Sequence, residues 1–169
     1  LRGGQAVIEA LIREGVKVVF GIPGVHTLEI YDALYDRPQI KHIVARHEQG
    51  AAFMADGYAR ASGEVGVVIV ITGPGLTNAS TAVGQAYADG SPLLIISSEV
   101  DSRQRGKGNL HELKDQLGMM RAITLWNARA ETVAQIPLRI HEALERIAAG
   151  WPGPAHVEIA TDVLAAEGE

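Results

Sequence analysis

The spacing of apolar residues changes along the chain in a regular alternation. Val7, Ile8, Leu11 and Ile12 recur at helical spacing within Ala6–Arg13, and Gly15 closes that segment. Val18–Phe20 is an unbroken apolar run of strand length that ends at Gly21. Thr27 is placed to cap a helix through Leu28, Ile30, Tyr31 and Leu34, and Ile40–Ala45 reads as a second strand. Glu48–Ala61 predicts an alanine-rich helix ended by Ser62-Gly63. Val65–Ile71 is β-branched without polar alternation, the pattern of a strand covered on both faces. Beyond it the pattern predicts a helix from Thr77 to Gly90, a buried strand at Pro92–Ile96, a helix over Leu110–Met120 and a weaker strand at Ile123–Trp126. Val133, Ile136, Ile140, Leu144 and Ile147 form the clearest amphipathic stripe, which confines Pro137 to that helix's first turn or just before it. His156–Ile159 is the last strand.

Six strands alternating with about six helices predict a parallel sheet wrapped by helices on both faces, because each parallel connection needs a crossover. The fold class expected is a doubly wound α/β domain spanning residues 1–169, with no internal repeat or low-complexity linker. A length of 169 residues suits one domain with a real core. Net charge is -5 with no basic run, which argues against nucleic-acid binding. The absence of cysteine excludes disulfides, thiolate catalysis and cysteine-ligated metal sites. No apolar run approaches the length needed to span a bilayer, so no membrane partner is expected. The chain opens Leu1-Arg2-Gly3-Gly4 without an initiator methionine or a signal-peptide pattern, which suggests a piece of a longer, cytoplasmic protein.

In a doubly wound sheet, ligands bind beyond the carboxyl ends of the strands. Four such ends carry distinctive residues: Gly21-Ile22-Pro23-Gly24, Arg46-His47-Glu48-Gln49-Gly50, Thr72-Gly73-Pro74-Gly75 followed by Thr77-Asn78, and Ser97-Ser98-Glu99. Any one of these alone reads as an ordinary strand-to-helix turn. The dinucleotide fingerprint G-x-G-x-x-G and the P-loop lysine pattern are both missing, so a Rossmann-type cofactor site is disfavoured. Glu48 falls where an apolar strand meets an alanine-rich helix. Spacing alone leaves it either a first-turn glutamate favoured by the helix dipole or a carboxyl in a dry crevice that holds a proton at neutral pH.

Several of these segments stand in register with a known family. Phe20-Gly21-Ile22-Pro23-Gly24, Arg46-His47-Glu48-Gln49, Ala55 through Arg60, Gly73-Pro74-Gly75 with Thr77-Asn78, Ala86-Tyr87-Ala88-Asp89 and Pro152-Gly153-Pro154 follow the order seen in acetolactate synthase-like enzymes. The chain therefore resembles the pyrimidine-binding domain of the thiamine-diphosphate enzymes of the acetolactate synthase and 2-oxo acid decarboxylase group. The resemblance implies that Glu48 hydrogen-bonds the aminopyrimidine of thiamine diphosphate and so promotes loss of the thiazolium proton, after which a 2-oxo acid is decarboxylated. It further implies that Ile22, Pro23 and Gly24 pack on the pyrimidine and that Thr72, Pro74 and Asn78 line the same pocket. His111, in Leu110-His111-Glu112 where acetolactate synthases carry Phe-Gln-Glu, is the candidate substrate residue. This departure makes a decarboxylase of a larger 2-oxo acid a plausible member.

The family's diphosphate-binding signature, Gly-Asp-Gly followed by Asn-Asn, does not occur in this chain. The resemblance thus implies half an active site: magnesium and the diphosphate would be held by a domain of a neighbouring subunit. A homo-oligomer is expected, most simply a dimer, with the small-residue helices Gln49 to Ala61 and Asn78 to Ala88 at or near the interface. The pyrimidine-binding subunit of a split decarboxylase is one alternative. Another is a nucleotide-binding or regulatory α/β module, which tight nucleotide binding without any response to thiamine diphosphate would distinguish. Asp56 and Arg60 are spaced for an i,i+4 ion pair. His26, His42, His141 and His156 are scattered and suggest no metal site, and Trp126 and Trp151 read as core or interface residues.

Overall fold

A computed structural model, described here for residues 1–168, contains a six-stranded, wholly parallel sheet in the order β2-β1-β3-β4-β6-β5. The strands are β1 (Val18–Gly21), β2 (Lys41–Val44), β3 (Gly66–Val70), β4 (Leu93–Glu99), β5 (Trp126–Ala130) and β6 (Pro154–Ala160). The helices are α1 (Gly3–Arg13), α2 (Leu28–Tyr35), α3 (Glu48–Ser62), α4 (Pro74–Asp89), α5 (Gln116–Arg121), α6 (Gln135–Ala148) and α7 (Thr161–Ala165).

Alternation along each strand divides the interior in two. Val67 and Ile69 of β3, with Leu94 and Ile96 of β4, join Val7 and Leu11 of α1, Ile30 of α2 and Ile136 and Ile140 of α6. Val68, Val70, Leu93 and Ile95 join Ala51 and Ala55 of α3, Leu76 and Val83 of α4 and Met120 of α5 on the other face. Each fully buried Val, Leu or Ile contributes roughly 1.5–3 kcal/mol, so the two covered faces dominate the stability. All residues of β3, β4 and β6 are buried, which explains the apolar run of β3 and the apolar first half of β4.

Several expected elements differ from the structure in extent or capping. The helix expected to open at Thr77 begins at Pro74, whose missing N–H costs nothing at the first helical position. The helix expected over Leu110–Met120 exists only as α5. Upstream, Glu112 accepts the backbone N–H groups of Gly108 at 2.8 Å and Asn109 at 2.9 Å, and also that of Gly106, which gathers the segment into a loop. Asp115 then starts α5 by accepting from Gly118 N at 2.7 Å. The weak strand expected at Ile123–Trp126 lies later, at Trp126–Ala130, because Ile123 and Thr124 still bond back to the Met120 carbonyl at the end of α5. Thr27 does not cap α2; its hydroxyl donates to the Gly24 carbonyl at 3.1 Å across a 3-10 turn, Val25–Thr27. α7 carried no recognised signal.

The Asp56–Arg60 pair forms at 2.9 Å, and Arg60 also reaches Asp89 at 2.7 Å, tying α3 to α4. Trp126 packs against the first core, whereas Trp151 is 73% exposed and lies over Gly90. No helix is long and apolar enough to cross a membrane among the described residues.

Candidate active site

The chain runs from β1 outward to β2, then returns across β1 to β3 and continues outward to β4, so the direction of winding reverses between β1 and β3. That reversal opens a crevice at the carboxyl edge, the usual ligand position in such sheets. The turns after β1 and β3 flank it, and the start of α3 lies beside them after β2. Ile22, Pro23 and Gly24, Thr72 and Pro74, and Glu48 are thereby gathered at three neighbouring strand ends.

Glu48 is the first residue of α3, and His47 caps that helix by accepting from Gln49 N at 3.1 Å. Its carboxylate is half-buried and accepts a hydrogen bond from Asn78 Nδ2 at 2.9 Å. Tyr31 of α2 reaches the same region: its hydroxyl donates to the Ile69 carbonyl at 3.1 Å. Burial, and then the nearby Glu48 charge, push the Tyr31 phenol well above its ordinary value.

Both flanking turns depend on close backbone approach. A side chain at Gly24 would meet Ile71, which supports the Ile22–Gly24 turn from below. Gly73 has φ 63°, in the left-handed region, and a side chain there would collide with the His111 carbonyl. The loop before α5 is thus seated directly on the second turn. It also brings His111 edge-on to His26, with ring centroids 5.7 Å apart. Burial, and secondarily the charge of His111, lower the pKa of His26. Pro23 and Pro74 are exposed, while Asn78 and His111 are half-buried, so within this chain the arrangement is an open wall. Thr72 differs: it is buried and its hydroxyl is donated to Gln116 at 2.8 Å.

Farther along the same edge, the ends of β4, β5 and β6 carry a buried polar network. Glu158 is fully buried and accepts from Arg129 Nε and Gln116 Nε2, both at 2.6 Å. Glu99 accepts from Arg129 at 2.9 Å and takes both Arg105 Nε and Nη2, the latter at 2.7 Å. Desolvation, then the Glu99 charge, raise the Glu158 pKa against the opposing pull of Arg129. Beneath it, His156 Nε2 lies 2.7 Å from Ser97 Oγ, and burial holds the imidazole neutral with its pKa down to about 3.

Comparison with known proteins connects this geometry to a chemistry. Residues 1–119 match the family model described as "Thiamine pyrophosphate enzyme, N-terminal TPP binding domain". The chain belongs to that family. Its resemblance to acetolactate synthases and 2-oxo acid decarboxylases extends to the curated relatives of this thiamine pyrophosphate (thiamine diphosphate) group. A probable 2-ketoarginine decarboxylase of Pseudomonas aeruginosa is 53% identical over 168 residues, covering 98% of this chain and 30% of that protein. The mitochondrial acetolactate synthase catalytic subunit of Saccharomyces cerevisiae is 43% identical over 98% of this chain and 24% of its own length. A probable acetolactate synthase large subunit of Methanocaldococcus jannaschii is 44% identical, over 96% of this chain and 27% of its own. The chain thus spans less than a third of each of these relatives and corresponds to their N-terminal, pyrimidine-binding part.

In this thiamine pyrophosphate-binding domain, three residues near the edge escaped the sequence reading. Tyr31 was legible only as part of an amphipathic stripe, and His26 only as one of several scattered histidines. Gln116 lay inside a segment taken for a longer helix, and no local signal distinguishes a buried glutamine from a solvated one. Among the described residues, no group of three or more His, Cys, Asp or Glu side chains is placed to hold a metal ion.

Proposed function

We propose that this chain is the pyrimidine-binding half of a thiamine-diphosphate-dependent enzyme that decarboxylates 2-oxo acids, with or without subsequent carboligation, and that Glu48 is its cofactor-activating carboxylate. The observation that carries the reading is the Glu48–Asn78 contact beside the two turns of the winding reversal. An aminopyrimidine is a flat ring with apolar faces and a hydrogen-bonding edge. A half-buried carboxylate beside a proline turn that rests on Ile71 suits both features, so these residues fit the group.

When bound, thiamine diphosphate supplies a carbon nucleophile and a sink for the electrons left by departing carbon dioxide. Glu48 holds and shares a proton at its carboxylate oxygens with the ring edge. Asn78 orients that carboxylate, so that one oxygen stays committed to α4. Ile22, Pro23 and Gly24 form the wall against the ring, and Pro74 closes the opposite side against water. Thr72 supports this second turn from within. His111, paired with His26, faces the 2-oxo acid.

Magnesium and the diphosphate would be held by the diphosphate-binding domain of a neighbouring subunit, and this chain alone would be inactive. A symmetric homodimer is the simplest assembly. Exposed Phe53 and Met54 on α3 and Tyr87 on α4 support an interface there. A cytoplasmic location accords with this chemistry. In the full-length enzyme, Glu48→Gln should lower turnover by about 10²–10⁴-fold while the thermal transition stays in place. Steady-state rates together with a melting curve decide this, and wild-type turnover in the variant would refute the role of Glu48.

A further inference from the structure

Gln116 is only 4% exposed, yet it opens a helix of just six residues and faces away from solvent into the sheet edge. Its amide is fully used. Oε1 accepts from Thr72 Oγ1 at 2.8 Å and from Gly73 N at 2.9 Å. Nε2 donates to Glu158 Oε2 at 2.6 Å and to the Ser98 carbonyl at 2.9 Å, with Ser97 Oγ at 3.3 Å. The Gly73 N–H is a donor only and the Ser98 carbonyl an acceptor only, so the amide has one permitted orientation. Glu158 cannot drift, because Arg129 holds its other oxygen at 2.6 Å.

The group clamped by Oε1 is the turn that begins α4. Gly73 is the residue before that helix, at φ 63° and ψ -114°, and Asn78 lies five residues onward, where it meets Glu48. The His111 carbonyl rests against Gly73 from outside. One side chain therefore ties the origin of α4 to the ends of β4 and β6, and the same turn carries Asn78 on one side and seats His111 on the other. Thr72 N adds a parallel tie to Ser98 Oγ at 2.9 Å.

We propose that Gln116 is a positioning residue of the Glu48 site: by clamping the Thr72–Gly73 turn to the Arg129–Glu158 pair it fixes Asn78 against Glu48 and holds the His111 loop in register. This rests on the reading of Glu48 given above. Gln116 touches neither cofactor nor substrate and acts through the turn alone.

The test uses the full-length enzyme with Gln116→Met, which keeps the length of the side chain and removes every hydrogen bond, and the milder Thr72→Val, which removes one donor. In cofactor-free enzyme, amide hydrogen exchange of the 71–77 segment is read by mass spectrometry. It should quicken by about tenfold or more in Gln116→Met and by less in Thr72→Val, with β3 and β4 unchanged, since a lost buried hydrogen bond loosens the local structure. In loaded enzyme, proton exchange at the reactive thiazolium carbon should slow about tenfold in Gln116→Met, the size expected for one lost orienting hydrogen bond. Glu48→Gln serves as the reference and should slow it far more. Wild-type exchange of the 71–77 segment in both variants overturns the inference whatever Glu48 does. Normal thiazolium exchange in Glu48→Gln overturns the reading of the site itself, and the inference with it. If Gln116→Met fails to fold, Thr72→Val alone decides by the same two measurements.

Discussion

The carboxyl edge of the sheet divides into two halves that treat polar groups in opposite ways. At the ends of β4, β5 and β6, buried carboxylates are saturated by half-buried guanidiniums: Glu158 and Glu99 are satisfied by Arg129 and Arg105 at 2.6–3.0 Å. At the ends of β2, β1 and β3, Glu48 is half-exposed and is held through a single side-chain contact from Asn78. A buried charge is tolerated only when its partners are complete, whereas a group that must engage a ligand has to keep hydrogen-bonding capacity in reserve. On the proposed reading, the saturated half supplies rigidity and the open half binding, with Gln116 joining them. Substitutions in the first should therefore damage stability, and those in the second should damage activity with little effect on stability.

At neutral pH the largest effect on stability is expected from Arg129→Met. It leaves Glu158, with a fully buried side chain, lacking its cationic partner. The expected loss is about 3 kcal/mol, the lower end of the range for a broken buried pair, because Arg129 is itself 23% exposed. Urea denaturation measures it, and a loss below about 1 kcal/mol would show that the pair is no more than a surface contact.

A pH-dependent effect, nil at neutral pH and growing only in acid, should come from His156. Its folded pKa is depressed from 6.5 to about 3, with burial the main cause and the Arg129 charge the second. Above pH 6.5 the group is neutral in both states and its full contribution is present. As pH falls, the unfolded chain takes up a proton that the folded chain refuses until about pH 3, so stability is lost across that window at up to ~1.4 kcal/mol per pH unit. Subtracting the stability curve of His156→Gln from that of the wild-type protein should isolate this slope, and parallel curves would contradict it.

The smallest stability change belongs to the open half. Asn78→Ala should shift stability by no more than about 0.5 kcal/mol, since the residue is half-exposed. Turnover of the full-length enzyme should nevertheless fall about tenfold, as expected when a hydrogen bond to a charged group is lost. A stability loss as large as that of Arg129→Met, with unaltered turnover, would erase the contrast between the halves.

Much of this protein was legible in the order of its residues. Apolar runs without polar alternation, such as Val65–Ile71, identified doubly covered strands, and the stripe from Val133 to Ile147 identified α6, because burial on a periodic scaffold imprints its period on the sequence. Glu48, the two proline-bearing turns and His111 were nameable as candidates, since motifs in register survive without coordinates. Three things came only with the tertiary structure. The loop before α5 replaced an expected helix because Glu112 collects amides from Gly106, Gly108 and Asn109, a local closure that hydrophobic periodicity does not record. The strand order, with β6 between β4 and β5, fixed which strand ends are neighbours. The partners of Gln116 lie 18 to 44 residues away in sequence. Local pattern determines which residues face inward; which buried polar groups meet is decided only when separate strand ends are packed side by side.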